Sequence, residues 1–182
     1  ILRRLDIAYP QYREASRNDE FLLGDGIIVA PINEAFIKTG FDEGFFTHMQ
    51  QMYENKVCSI IAFNKDLSHK IYAGADMFLM PSKSEPCGLS QMMACRYGTI
   101  PIVRRTGGLK DSIVDCGDGD YGNGFTFQSY NAGDMIHAVD RAVGLYRDYH
   151  DKWKGLIDRA MTSDFSWVSS AKEYVKFYNE MF

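Results

Sequence analysis

A four-residue apolar run, Met77-Phe78-Leu79-Met80, is closed by Pro81 and Ser82 and followed almost at once by a helical pattern. A short, wholly apolar run ended by a breaker suits a strand covered on both faces, as in parallel sheets. Over residues 89–97 the apolar positions recur at helical spacing, so a helix begins just after Gly88. The turn between the two is Glu85-Pro86-Cys87-Gly88. The first amides of a helix have no intrahelical acceptor and carry the positive end of its dipole. An acid, a thiol and an anion site therefore meet at the carboxyl end of a strand, where open α/β sheets bind ligands.

The same alternation extends on either side. Residues 57–63 are β-branched and apolar and predict a core strand. Asp66 precedes a helix through Leu67, Ile71 and Tyr72 that ends at Gly74 as a C-cap. Thr99-Ile100-Pro101-Ile102-Val103 is the next strand. Together these predict a βαβαβ run, a Rossmann-like parallel sheet with right-handed crossover helices. Upstream, residues 43–54 have helical spacing, and Phe21-Leu22-Leu23 is a short strand entering a Gly24-Asp25-Gly26 turn. Residues 27–40 read only as a strand plus a loop. Downstream, residues 115–123 are rich in Gly and Asp and predict a surface loop, without the spacing or terminal Glu of a calcium loop. The chain then turns helical over residues 132–149, 152–162 and 166–181.

At 182 residues the chain can bury one sizeable core, and we take it as a single domain, residues 1–182. Within it, residues 1–42 form a divergent or incomplete N-terminal part, and residues 132–182 a helical C-terminal region. A net charge of −4 gives no electrostatic case for a nucleic-acid partner. No apolar run approaches the roughly 20 residues of a membrane helix. The chain opens Ile1-Leu2-Arg3-Arg4, without an initiator Met, and reads as a piece of a longer protein. Cys58, Cys87, Cys95 and Cys116 form no CxxC pair and no zinc-like grouping with His. Free, mostly buried thiols in a reducing compartment follow, so the expected location is cytoplasmic.

Two readings are open for Glu85. It either caps the amides of the helix that follows, or stands near a ligand's hydroxyls or developing positive charge. Thr106-Gly107-Gly108-Leu109 leaves the next strand, where the glycines allow close approach to a ligand or simply a tight corner. Arg104 and Arg105 beside them could neutralise phosphate or lie solvated. Phe63, at a strand's carboxyl end, faces the same crevice. His48, His69, His137 and His150 are scattered without metal-ligand spacing.

Several segments closely resemble bacterial glycogen synthases and plant starch synthases. They are Tyr72-Ala73-Gly74-Ala75-Asp76, Phe78-Leu79-Met80-Pro81-Ser82, Glu85-Pro86-Cys87-Gly88-Leu89-Ser90-Gln91, Arg96-Tyr97-Gly98-Thr99 and Arg105-Thr106-Gly107-Gly108-Leu109-Lys110-Asp111. Gly122-Asn123-Gly124-Phe125 and Asp164-Phe165-Ser166-Trp167 continue the likeness, which runs from about residue 43 to the end. The resemblance implies the C-terminal half of a GT-B fold, two Rossmann-like domains with the active site in the cleft between them. It implies a retaining transfer of glucose from ADP-glucose, or UDP-glucose, to the non-reducing end of an α-1,4-glucan, with no metal or other cofactor. It also implies a plastid location should the source be a plant.

By position, the resemblance makes Glu85 the acid that contacts the donor glucose and Cys87 the neighbouring thiol of the catalytic pair. It puts Gly88, Leu89 and Ser90 on the donor phosphates and Phe63 beside the base, and Thr106 and Gly107 are counted among the donor-binding residues. Many GT-B enzymes carry a second Glu eight residues after the first; here that position is Met93, as in glycogen synthases. No Ser-Arg-Leu-x-x-Gln-Lys-Gly segment is found, although the family's phosphate-clamping Arg and Lys lie there. The remaining partner implied is the N-terminal GT-B domain, with its Lys-Thr-Gly-Gly-Leu loop.

Overall fold

The computed structural model describes residues 28–29, 43–60 and 64–181. Four strands, β1 (Ile28–Val29), β2 (Met77–Met80), β3 (Ile100–Arg104) and β4 (Phe125–Phe127), form one parallel sheet in the order β1-β2-β3-β4. Seven helices accompany them among the described residues: α1 (Glu43–Met52), α2 (Lys65–Gly74), α3 (Ser90–Tyr97), α4 (Gly107–Ser112), α5 (Ala132–Asp148), α6 (His150–Thr162) and α7 (Trp167–Met181). Helix α3 lies against β2 and β3, α5 against β3 and β4, and α6 against α3, α5 and β3. This is the Rossmann-like α/β arrangement with crossover helices.

The apolar runs are continuous because these strands have no wet face. Met77, Phe78 and Met80 of β2, Ile100, Ile102 and Val103 of β3, and Phe125 and Phe127 of β4 are all buried. Ala94 and Cys95 of α3, Ala138, Ala142 and Leu145 of α5, and Trp153, Leu156 and Ala160 of α6 close over them. Burying a Phe such as Phe125 contributes about 2–3 kcal/mol. Pro101 stands in a strand with neighbours on both sides, a position where a missing N–H would normally break a ladder. Ile100 N–H bonds the Asp76 carbonyl on the β2 side and Arg105 N–H the Phe127 carbonyl on the β4 side. By that alternation the Pro101 nitrogen faces the β4 side, one residue ahead of the Ile102–Phe125 pairing. No bond is lost there.

Several local readings need correction. Residues 57–60 are not a strand. Their polar groups turn to α1 instead: Ser59 N–H bonds Gln50 Oε1 at 2.7 Å and Ser59 Oγ donates to the Phe46 carbonyl at 2.9 Å. Residues 61–63, the Phe21-Leu22-Leu23 strand and the Gly24-Asp25-Gly26 turn lie outside the described residues; Ile28–Val29 is the strand within the 27–40 segment. Helix α2 is capped by Asn64, whose side chain accepts from Leu67 N–H at 3.0 Å, and not by Asp66. Gly74 is the last helical residue, and Ala75 leaves the helix in an extended conformation. The short strand β4 was not read from the sequence at all.

The 115–123 segment is more than a surface loop. Asp115 accepts from Arg141 in α5 and from the N–H and Oγ1 of Thr126, while Arg159 of α6 donates to the carbonyls of Gly119, Tyr121 and Gly122. Burial alone would push the Asp115 carboxyl up, but the Arg141 guanidinium and the Gly117 and Thr126 amides outweigh it and hold the carboxyl below its ordinary value. The cysteines differ in exposure: Cys95 and Cys116 are buried, Cys58 half-buried and Cys87 exposed. Burial pushes the Cys95 thiol up to about 12. Burial first, then the charge of Asp115, pushes Cys116 to about 11.

What positions the exits of β2 and β3 is a backbone contact. Gly108 N–H is shared between the carbonyls of Glu85 and Pro86, both at 3.2 Å. A β-carbon on Gly107 would stand 1.8 Å from the Glu85 carbonyl oxygen, and one on Gly108 would stand 2.1 Å from that of Cys87. Only glycines let the two turns touch, so the corner is tight because it meets the neighbouring turn.

Two outcomes follow. Gly108→Ala should lower unfolding stability by about 2 kcal/mol or more through overpacking against rigid backbone, read in urea titration; stability within 0.5 kcal/mol of the parent would refute the contact. For Asp115, a depressed folded pKa means stabilisation that is full above the unfolded value of about 4 and is lost as pH falls through the lower folded value. Asp115→Asn should therefore cost about 2 kcal/mol at pH 7, with the gap to wild type closing below about pH 4. A gap that stays constant down to pH 2 would contradict that linkage.

Candidate functional site

The carboxyl ends of β2, β3 and β4 open onto one edge of the sheet, and three turns leave there: residues 81–89, 105–106 and 128–131. Glu85 is half-buried in the first turn, between exposed Ser84 and exposed Pro86. The alternative in which Glu85 caps α3 is excluded: the cap residue is Leu89, and no side chain bonds the helix amides. Among the described residues no hydrogen bond reaches the Glu85 carboxylate. Its backbone is held by Gly108 while its acid group is left for something else.

Gly88 has φ +71°, a left-handed conformation that a side chain would strain, and Leu89 follows in the right-handed region at φ −116°. Successive residues of opposite hand turn their amides to one side and make an anion-binding concavity. The N–H groups of Gly88, Leu89 and Ser90 have no acceptor among the described residues, and they stand at the positive end of α3. Cys87 is exposed, and among the described residues its Sγ reaches only the Gly88 carbonyl, at 3.5 Å. The turn therefore offers an unpaired carboxylate and three unpaired amides a few residues apart. Such a pair can face the two ends of one ligand that carries a hydroxylated or cationic part and an anionic part.

Thr106 and Gly107 stand on the same edge, but their neighbour in the structure is the Glu85 turn. Thr106 N–H bonds the Arg104 carbonyl at 2.9 Å, and its side chain caps nothing in α4. Arg104 is half-buried rather than solvated. Its Nη1 donates to the Lys83 carbonyl at 2.7 Å and its guanidinium lies 5.5 Å over the Tyr130 ring, so it braces the turn from behind. Arg105 is exposed. Phe63, the expected neighbour of the base, lies outside the described residues.

For Gln91 the sequence points only to its backbone amide, at the helix start with those of Leu89 and Ser90, and not to its side chain. It is completely buried, and its Nε2 donates to the carbonyls of Cys87 and Gly88 and to Ser112 Oγ. A signal was present: Gln91 shares a helix face with Ala94 and Cys95, three and four residues on, and a polar side chain there needs internal partners. Among the described residues no group of His, Cys, Asp or Glu is placed to hold a metal ion, and no helix is long and apolar enough to cross a membrane.

Comparison with known proteins gives the family. The family model for glycosyl transferases group 1 matches residues 45–154. A glycogen synthase of Lachnospira eligens is 47% identical over 140 residues, and one of Bacillus cereus 51% identical over 143. Each alignment covers 76% of this chain and 29% of the relative, so the chain spans less than a third of those proteins. The catalytic domain of starch synthase IV from Arabidopsis thaliana, solved bound to ADP and acarbose, superposes with a TM-score of 0.68 at 36% identity. It covers 87% of this chain and 32% of that one. The fold thus resembles that of part of the starch synthase IV catalytic domain, and this chain belongs to the group 1 glycosyl transferases.

Proposed function

We propose that this chain is the nucleotide-sugar-binding domain of a retaining glucosyltransferase of the glycogen and starch synthase type. In the full-length protein the reaction is transfer of glucose from ADP-glucose to the non-reducing end of an α-1,4-glucan, with UDP-glucose as the alternative donor. The observation that carries this is the pairing of an unpartnered Glu85 carboxylate with the unpartnered amides of Gly88, Leu89 and Ser90 on the ligand-binding edge of the sheet. The ADP named for the starch synthase structure supports the donor.

The chemistry follows from where charge moves. As the glycosidic bond to the donor phosphate stretches, the sugar gains oxocarbenium-like positive charge and the leaving diphosphate gains negative charge. A carboxylate held beside the sugar stabilises the first, and amides with a helix dipole behind them stabilise the second. Cys87 stands between these groups and lines the same turn, and Thr106 and Gly107 complete its floor. Phe63 is proposed to stack beside the base. The glucan acceptor and the opposite wall of the cleft belong to the N-terminal GT-B domain. Free thiols support a reducing compartment, the cytoplasm, or a plastid for a plant source.

Glu85→Gln in the full-length enzyme should lower kcat by about 100-fold or more while the donor KM moves less than about threefold. An unchanged kcat would remove Glu85 from the reaction. A second reading has its own support in the short coverage of the relatives: taken alone, residues 1–182 hold ADP without turnover. Calorimetry on this chain with millimolar ADP should then show binding but no glucose transfer. No heat and no thermal shift would dismiss that reading.

A further inference from the structure

Gln91 is satisfied at only one end of its amide. Its amide is fully buried, yet Oε1 finds no hydrogen-bond donor among the described residues and lies against the α-carbon of Gly88, 2.6 Å from where a β-carbon would stand. A buried acceptor without a partner is costly, and what offsets it is the donor end of the same amide. What the amide does provide is one donor group, Nε2, set between two consecutive carbonyls: Cys87 at 3.2 Å and Gly88 at 3.0 Å. Ser112 Oγ accepts from the same nitrogen at 3.0 Å and donates to the Gly108 carbonyl at 2.7 Å, which fixes the amide's orientation.

In a trans peptide the C=O and N–H of one unit point in opposite directions. Pulling the Cys87 carbonyl inward therefore turns Gly88 N–H outward, and pulling the Gly88 carbonyl inward turns Leu89 N–H outward. We infer that Gln91 is a positioning residue for the donor diphosphate: from inside the core it aims the two amides that meet the phosphates, without touching the ligand itself. The tight fit of Oε1 against Gly88 explains the glycine a second time, since any side chain there would strain the backbone and push the amide out of place. This inference rests on the donor reading given above.

The test is Gln91→Met in the full-length enzyme, a near-isosteric change that removes the donor. ADP binding by calorimetry should weaken about tenfold while the KM for the glucan acceptor stays within about twofold. A purely structural role would lower the melting temperature and leave the ADP constant alone, and that result overturns the inference. Equal loss for ADP and glucan overturns it as well. If the unaltered enzyme binds no ADP at millimolar concentration, the donor reading fails and takes this inference with it. Unchanged ADP affinity in Gln91→Met sinks this inference only. Should that variant fail to fold, Ser112→Ala decides by loosening the same amide: about threefold weaker ADP binding supports the role, and unchanged binding rejects it.

Discussion

The amide hydrogen of Gly108, divided between the carbonyls of Glu85 and Pro86, holds the exits of β2 and β3 together, and the site depends on that junction. A strand end by itself does not fix the turn that leaves it. Here the turn carrying the acid is pressed on one side by the Gly107-Gly108 backbone, tied on another to Arg104 through Lys83, and drawn in from below by Gln91. Three restraints from three elements converge on residues 83–88. They leave over the Glu85 carboxylate and, just beyond, the amides of Gly88, Leu89 and Ser90. Rigidity of this kind is what electrostatic stabilisation of a transition state requires, because donors already in place need no reorganisation when charge develops.

The legible parts of the fold were those in which local pattern and tertiary environment agree. Met77-Phe78-Leu79-Met80 and the 99–103 run are apolar throughout because both faces of a parallel sheet are covered, so the strands announced themselves. The 57–60 segment is also largely apolar, but Ser59 bonds to α1, a partner that composition does not reveal. Strand β4 escaped for the opposite reason. Phe125-Thr126-Phe127 is too short to show a period, and the neighbouring Asp and Gly suggested loop; it is Asp115, bonded to Thr126 and Arg141, that holds this stretch beside β3.

The site divides in the same way. That an acid and a helix start share a strand's carboxyl edge follows from spacing alone. Whether Glu85 spends its carboxylate on the helix could not be read from spacing, because a cap and a free acid occupy the same position in a sequence. The glycine pair was open between ligand and corner, and its neighbour is a backbone more than 20 residues earlier in the chain. Gln91 was written in the motif, but its function is carried by three contacts, one of them to Ser112. Long-range partners are what a single sequence hides.

Helix α7 has no buried side chain along its 15 residues, and Trp167, Tyr174, Phe177 and Tyr178 are more than half exposed. Among the described residues no strand or helix packs extensively on it, so mostly local terms hold it, and at that length those are marginal in water. Its amide protons should therefore exchange with solvent almost as those of a free peptide do, while those of β2 and β3 report the opening of the whole domain. The chain thus carries its own gauge of assembly. Whatever comes to cover that aromatic stripe would register first as slowed exchange along α7, before any change reaches the sheet.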